Sequence, residues 1–95
     1  MELFTIRRRS NWEDAAALEV TAAKSSAEGE KMSDEVRWIR SYVVEEDDGR
    51  LGTLCVYEAV SAEAIRRHAA NTGMSADEIV KVADTVVVRE DPVAA

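Results

Sequence analysis

The chain has 95 residues and a formal net charge of −7 at pH 7, so it is long enough for one small domain. Its 46% hydrophobic and 33% charged residues are typical of a globular protein, and its acidity argues against sequence-independent binding of nucleic acid. A single cysteine excludes an internal disulfide and the apolar runs are too short to cross a bilayer, so we expect a cytoplasmic protein without a membrane partner.

A strand followed by a long helix is predicted at the start of the chain. Residues 3–7 combine β-branched and aromatic side chains with partial alternation, which is typical of a strand. Ser10 and Glu13 fit a capping box, and the proline-free, alanine-rich sequence from there to about Met32 favours a helix. At about 100° per residue, the predicted apolar face of this helix carries Trp12, Ala16, Ala23 and Ala27.

The only basic cluster of the sequence is the triplet of Arg7, Arg8 and Arg9, which follows the first predicted strand. Such a cluster is able to contact a phosphate group. Arginines at the end of a strand are nevertheless more often solvated charges, because burying a guanidinium without partners is costly. We therefore expect these three side chains to lie in solvent.

The clearest pair of strands is residues 36–45 and 52–60, because the Asp48-Gly49 dipeptide between them is a strong hairpin signal. A two-residue turn there pairs Val44 with Thr53, Tyr42 with Cys55, Arg40 with Tyr57, and Trp38 with Ala59. Since side chains alternate between the two faces of a sheet, these eight residues are predicted to share one face. The other face is predicted to lie beneath the helices and carries Ile39, Ser41, Val43, Leu54 and Val56.

The rest of the chain completes a β-α-β-β-α-β order. Ser61 is expected to cap a second helix over residues 62–72, which Gly73 ends. Residues 79–82 are predicted to form the last strand, and a continuation through residues 85–88 is left open. With two helices available for one sheet face, the predicted fold is an α+β, ferredoxin-like sandwich. We expect one domain over residues 1–90 and a flexible tail over residues 91–95.

The sheet face away from the helices is predicted to carry the ligand-binding residues. They are Trp38, Arg40, Tyr42, Cys55 and Tyr57. This patch is too apolar for the open face of a monomer, so we expect two copies to pack sheet to sheet as a homodimeric α/β barrel. The patch then either lines a small-molecule cavity or fills a solid interface, and the sequence leaves both alternatives open.

Arg40 is the single cation of this patch and is predicted to be the polar centre of any small-molecule site, together with Tyr42 and Tyr57. A buried guanidinium needs an anion or several acceptors. No acidic residue of the assigned strands shares the predicted face. The partner of Arg40 is therefore left open between a ligand carboxylate, water, a carboxylate from another element or subunit, and bulk solvent.

Several segments of the sequence resemble a family of small ferredoxin-like proteins that is catalogued as a domain of unknown function. They are VRWIRSYV at residues 36–43, CVYEA at 55–59, SAEA at 61–64, Gly73, and ADEI at 76–79. The resemblance extends from about residue 3 to residue 83, and some members of the family are described as nickel-binding proteins. It implies a ferredoxin-like dimer and, for some members, binding of nickel or another divalent transition metal.

The candidate metal ligands are Cys55, His68 and Glu58, which are residue types that nickel binds. The nickel-binding members of the family are histidine-rich, whereas this chain has one histidine. In the predicted register Cys55 faces away from the helices and His68 lies on the second helix, so one chain should not bring them together. Glu58 is able to pair with His68, although a backbone group would satisfy that histidine equally well.

Three classes of function remain open. The preferred class is a small-molecule- or metal-binding protein without turnover. The second is a dimeric-barrel enzyme, isomerase- or cyclase-like, in which Arg40, Tyr42 and Tyr57 assist proton transfer on a carbonyl compound. The third is a structural or partner-binding dimer without a ligand. The sequence contains four glycines and no glycine-rich phosphate loop, which argues against kinases and dehydrogenases.

Overall fold

The computed structural model describes residues 1–92 of the chain. The elements are β1 (Glu2–Trp12), α1 (Ala15–Lys31), β2 (Val36–Glu45), β3 (Leu51–Ala59), α2 (Ala62–Thr72) and β4 (Glu78–Lys81). The four strands form one sheet in the order β2-β3-β1-β4, and every neighbouring pair is antiparallel. The predicted α+β, ferredoxin-like fold is therefore confirmed.

The hydrophobic core lies between α2 and the central strands β1 and β3. Its buried residues are Phe4, Ile6, Val36, Cys55, Tyr57, Ala59, Ala64 and Ile65. The helix α2 begins at Ser61, whose Oγ accepts a hydrogen bond from the Ala64 amide at 3.1 Å, and it ends at Gly73, where φ is 81°. Both predicted ends of this helix are confirmed, because a hydroxyl cap and a left-handed glycine are strong local signals.

The entry into α1 differs from the prediction. The strand β1 continues to Trp12 through an irregularity in its pairing with β3, where Ser10 adopts a left-handed φ of 52°. Asp14 caps the helix by accepting a hydrogen bond from the Ala17 amide at 2.9 Å. The predicted capping box at Ser10 and Glu13 is therefore wrong. Ser10 is held in the sheet instead, since its amide donates to the Glu46 carboxylate at 2.9 Å.

The face that α1 turns toward the sheet also differs from the prediction. The residues on that side are Leu18, Thr21, Ala22 and Ser25, of which only Ser25 is fully buried. Ala16, Ala23 and Ala27 are exposed, so their predicted place on a buried face is wrong. Alanine-rich sequences determine such a face weakly, because each methyl group contributes little burial energy. The helix consequently rests on few contacts and leaves space above the sheet.

The β2–β3 hairpin is shifted by one residue relative to the prediction. Glu45 pairs with Leu51, the Glu46 amide donates to the Arg50 carbonyl at 2.9 Å, and Gly49 has a φ of 82°. This geometry is a three-residue loop with a left-handed glycine rather than a two-residue turn. Tyr42 consequently pairs with Leu54. A further irregularity between Trp38 and Arg40 shifts the register again, so that Trp38 pairs with Tyr57 rather than with the predicted Ala59.

A shift of one residue exchanges the faces of a strand, so the predicted ligand residues do not share a face. Trp38, Cys55 and Tyr57 lie on the helix-facing side of the sheet, whereas Arg40 and Tyr42 lie on the open face. The predicted placement of Leu54 and Val56 beneath the helices is likewise wrong. Leu54 is 37% exposed, while its neighbours Thr53 and Cys55 are almost completely buried.

The segment after β4 has no regular structure as far as residue 92. The strand ends at Lys81, and Val86, Val87 and Val88 are at least 73% exposed, so the last strand does not continue through residues 85–88. Residues 93–95 of the predicted flexible tail lie outside the described residues. Within residues 1–92, no helix combines the length and the apolar character needed to span a membrane.

Gly52 is expected to tolerate no side chain. A Cβ atom at this position would lie 2.5 Å from the Arg8 carbonyl oxygen and 2.8 Å from Arg7 Nη1, besides contacting the Glu46 carboxylate. Gly52→Ala should lower the free energy of unfolding by about 1–3 kcal/mol. The matched control is Gly29→Ala in α1, where the nearest contact would be an ordinary 3.6 Å to His68 Nε2. That change should stabilise the protein by about 0.5–1 kcal/mol in urea denaturation.

The Arg7–Glu46 ion pair is expected to make stability depend on pH. Arg7 Nη2 donates a hydrogen bond to Glu46 Oε1 at 2.7 Å, and the Ser10 amide donates a second one to the same carboxylate. The Arg7 bond first, and the Ser10 bond after it, lower the pKa of Glu46 below its ordinary value of 4.5. A carboxyl whose pKa is lowered by folding stabilises the protein above the ordinary pKa and loses this contribution as the pH falls through the folded value.

The stability difference between the wild type and Glu46→Gln should therefore be largest near neutral pH and should shrink as the pH falls below 4.5. Chemical denaturation at a series of pH values measures this difference. Glu45→Gln is the control, because Glu45 is an exposed carboxylate on the neighbouring position. A difference between wild type and Glu46→Gln that stays constant with pH would contradict the assignment.

Candidate functional site

A cavity of about 450 Å³ lies between α1 and the helix-facing side of the sheet, and we call it the α1 cavity. Its apolar wall is formed by Trp12, Leu18, Ala22, Trp38, Ile39, Val43 and Met74. Its polar lining consists of Arg8, Thr21, Ser25, Arg40, Ser41, Thr53, Cys55 and Tyr57. Ligand pockets in proteins commonly enclose about 300–1,000 Å³ and combine apolar walls with a few polar groups. The α1 cavity has this character.

Two aromatic contacts hold the walls of the α1 cavity. The rings of Trp38 and Tyr57 are stacked, with an interplanar angle of 5° and centroids 6.1 Å apart. On the helix side, Trp12 Nε1 donates to Thr21 Oγ1 at 2.9 Å, and the hydroxyls of Ser25 and Tyr57 lie 3.4 Å apart. Burial raises the pKa of the Tyr57 phenol, so this side chain is neutral near pH 7. The helix is thereby held to the sheet by polar contacts.

Cys55 lies at the end of a short chain of hydrogen bonds. Trp38 Nε1 donates to Ser41 Oγ at 2.7 Å, and the Ser41 hydroxyl donates to Cys55 Sγ at 3.0 Å. The irregularity in β2 allows Trp38 and Ser41, three residues apart, to point to the same side. The Cys55 thiol is 4% exposed and lines the cavity. Of the five predicted ligand residues, Trp38, Cys55 and Tyr57 therefore meet in one place.

Arg8 lies on the floor of the α1 cavity and is only 5% exposed. Its Nε donates to the Ser75 carbonyl at 2.9 Å, and its Nη1 lies 3.9 Å from Cys55 Sγ. Its neighbours differ, because Arg7 pairs with Glu46 and Arg9 with Glu78. Within residues 1–92 no carboxylate pairs with Arg8. The expectation that all three arginines lie in solvent is therefore wrong for Arg8.

Thr53 is the cross-strand neighbour of Arg8 in the β1–β3 ladder. Its side chain is 3% exposed, and its Oγ1 has no hydrogen-bond partner in the described part of the chain. Directly opposed residues on one sheet face have Cβ atoms about 4.5–5.5 Å apart. Arg8 and Thr53 thus both line the cavity from opposed positions of two neighbouring strands.

The remaining predicted ligand residues, Arg40 and Tyr42, form a separate cluster with Asp91. Arg40 Nη1 donates to Asp91 Oδ2 at 3.0 Å and to the Tyr42 hydroxyl at 3.2 Å, while Tyr42 donates to the same carboxylate oxygen at 2.6 Å. The Arg40 side chain is 54% exposed. The prediction that Arg40, Tyr42 and Tyr57 form one polar centre is wrong, since a protein carboxylate from outside the strands neutralises Arg40.

The sequence profile of a family described as nickel responsive protein SCO4226-like matches residues 4–82. The chain belongs to this SCO4226-like family. Its fold is similar to the crystal structure of SCO4226 from Streptomyces coelicolor A3(2), with a TM-score of 0.69 and 22% identity over 88% of this chain and 99% of that one. No curated protein sequence matches the chain. The expected resemblance to a small ferredoxin-like family with nickel-linked members is confirmed.

The candidate metal ligands of this SCO4226-like chain do not meet. Glu58 lies on the open face, where Arg37 pairs with it at 3.1 Å, so the predicted Glu58–His68 pair is wrong. His68 is 2% exposed and its Nε2 lies 3.0 Å from the Ser25 carbonyl oxygen, which is the predicted backbone alternative. Cys55 lies on the same side of the sheet as His68, contrary to the predicted opposite faces.

A metal centre therefore does not fit the donors of one SCO4226-like subunit. Across residues 1–92, no group of three or more His, Cys, Asp or Glu side chains is arranged to hold an ion. Structural and catalytic sites for transition metals usually supply three or four protein ligands. The imidazole of His68 is also engaged with a backbone carbonyl and packed against Tyr57, with ring centroids 5.8 Å apart.

Sequence reasoning missed Arg8 and Thr53 as functional candidates in this SCO4226-like chain. A signal for Arg8 was present, because Phe4, Ile6 and Arg8 follow the period of two along β1 and all three are buried. Thr53 became assignable only with the correct register, which places it opposite Arg8. Three consecutive arginines hide the alternation of buried and exposed positions along β1, because residues of one type give no sign of which of them faces the core.

The unpaired hydroxyl of Thr53 is expected to destabilise the ligand-free protein. Thr53→Val keeps the shape of the side chain and removes a buried group without a partner, so the free energy of unfolding should rise by up to about 1 kcal/mol. Thr72→Val is the matched control, because Thr72 is also buried but donates to the His68 carbonyl at 3.0 Å. Loss of that bond should lower stability by about 1 kcal/mol. Urea denaturation should therefore give the two variants opposite signs.

Proposed function

We propose that the protein binds a small molecule in the α1 cavity. The observation that carries this proposal is a space of about 450 Å³ with aromatic walls, within a domain of 95 residues. Protein interiors are normally packed to the density of organic crystals, with few voids larger than a water molecule. The side chains around the α1 cavity are held by hydrogen bonds rather than collapsed into it, as the contacts of Trp12 and Trp38 illustrate.

The proposed ligand residues are those of the predicted site that face the helices, together with the groups on the cavity floor. They are Trp12, Trp38, Cys55 and Tyr57, with Arg8 and Thr53. The apolar walls supply most of the affinity through burial of ligand surface, and the few polar groups fix its orientation.

The other functional classes receive less support from the residue positions. Proton transfer by Arg40, Tyr42 and Tyr57 would need these side chains on one face, and they lie on two. The family description links relatives to a nickel response, and the donors of one subunit do not converge on an ion. The homodimer stays a prediction, and a dimer formed through the open face would bury Tyr42 and Leu54 rather than Trp38 and Tyr57.

A neutral fluorescent probe tests the proposal. N-phenyl-1-naphthylamine becomes fluorescent in apolar sites, so the wild type should show a saturable increase with a stoichiometry of one probe per chain. Ala22→Phe should abolish this increase, because Ala22 lines the cavity and a phenyl ring there occupies the ligand's space. Fluorescence titration at pH 7 measures both proteins.

Ala23→Phe is the matched control for the occlusion experiment. Ala23 is the next residue of α1 and is exposed, so a phenyl ring there points to solvent and should leave the titration unchanged. Circular dichroism of both variants establishes that the fold is retained. Equal probe binding by the wild type and Ala22→Phe, or a wild type that does not bind the probe, would contradict the proposed function.

A further inference from the structure

One cation that lines the α1 cavity has no carboxylate partner among residues 1–92. The charged residues that line it are Arg8 and Arg40, and no Asp or Glu among residues 1–92 contributes to the lining. Arg40 is already neutralised by Asp91 outside the cavity. Arg8 is the remaining cation, and its exposed fraction is only 5%.

The guanidinium of Arg8 has unused donors that line the cavity. A guanidinium carries five N–H groups. One of these donates to the Ser75 carbonyl and another lies 3.9 Å from the Cys55 sulfur, which is a weak acceptor. Nη2 has no hydrogen-bond partner within the described residues. An uncompensated buried cation is costly, and the planar fork of arginine matches a carboxylate in a bidentate geometry.

The hydroxyl of Thr53 is a further hydrogen-bond donor in the lining of the α1 cavity. Its Oγ1 is buried without a partner and lies on the strand position directly opposite Arg8. A hydroxyl that faces an anion can donate its proton to one anion oxygen while the guanidinium donates to the other. A cation without a carboxylate partner and a hydroxyl without any partner, both judged within residues 1–92, therefore line the cavity.

We infer that the α1 cavity takes a small amphipathic organic acid, whose carboxylate is held by Arg8 and Thr53. Its apolar body lies against Trp12, Trp38 and the neighbouring aliphatic wall. This inference rests on the proposed function and adds the chemical class of the ligand. The aromatic and aliphatic walls match a hydrocarbon body, which free inorganic phosphate lacks. The absence of lining carboxylates in the described chain disfavours a cationic ligand.

Calorimetric titration with a matched pair of probes tests the inference. The probes are 1-naphthoate and 1-naphthamide, which share one ring system and differ in charge at pH 7. The wild type should bind 1-naphthoate about tenfold or more tightly than 1-naphthamide, because hydrogen bonds to a charged group are the stronger ones. Arg8→Met replaces the guanidinium by an apolar side chain, and this variant should bind the two probes with about equal affinity.

Two further variants control for folding and for general electrostatics. Thr53→Val should weaken the binding of 1-naphthoate more than that of 1-naphthamide, because a bond to a charged group is the stronger one, so it tests the site even if Arg8→Met does not fold. Arg9→Met removes a neighbouring cation that is exposed and paired with Glu78, and it should keep the full preference for the acid. A loss of preference in Arg9→Met equal to that in Arg8→Met would overturn the assignment of Arg8.

The outcomes separate this inference from the proposed function. Equal affinity for both naphthalene probes, or a preference for the acid that survives Arg8→Met, would overturn the inference and leave small-molecule binding intact. Binding of neutral N-phenyl-1-naphthylamine without binding of 1-naphthoate would have the same meaning. If none of the three probes binds, both proposals are wrong.

Discussion

The register of β3 against its two neighbours determines which side chains reach the α1 cavity. Gly49 accepts a left-handed conformation, and the resulting three-residue loop fixes Tyr42 opposite Leu54 rather than Cys55. On the other side, β1 aligns Arg8 with Thr53. Because neighbouring side chains on a strand point to opposite faces, a one-residue change would exchange the cavity floor for the open face. The β2 side of the cavity thus depends on this loop and on the irregularity in β2, and its floor depends on the pairing of β1 with β3.

The cavity exists because α1 is attached to the sheet through polar contacts. Thr21 bonds to Trp12, and Ser25 lies close to the hydroxyl of Tyr57, whereas all alanines of the helix except Ala22 are exposed to solvent. Hydrogen bonds have defined lengths, so they fix a separation that large apolar side chains would otherwise close by packing. The second helix behaves differently, since Ala64 and Ile65 pack directly into the core. One helix therefore stabilises the domain and the other covers a space.

The sequence predicts structure reliably where a local signal determines it. It fails where the strand register determines which sheet face a side chain lies on. The element order and the ends of α2 follow from residues such as Ser61 and Gly73, whose conformational preferences are strong. The hairpin loop was harder, because an Asp-Gly pair suits loops of two or three residues, and the choice decides which residues of β3 share a face with those of β2. Asp91 was unassignable to Arg40, since no periodic element positions it. Three of the five predicted ligand residues, Trp38, Cys55 and Tyr57, therefore lie on the helix-facing side rather than on the predicted open face.

The three consecutive arginines show how burial separates structural from functional charge. Arg7 and Arg9 each meet a carboxylate, so their positions are explained by the fold. Arg8 is more deeply buried than either and meets none within residues 1–92. The fold uses one N–H group of Arg8 for the bond to the Ser75 carbonyl, but within residues 1–92 it supplies no carboxylate for the charge. The Thr53 hydroxyl has no partner at all among these residues, and a methyl group would replace it without loss. The proposed ligand carboxylate would give both groups a partner.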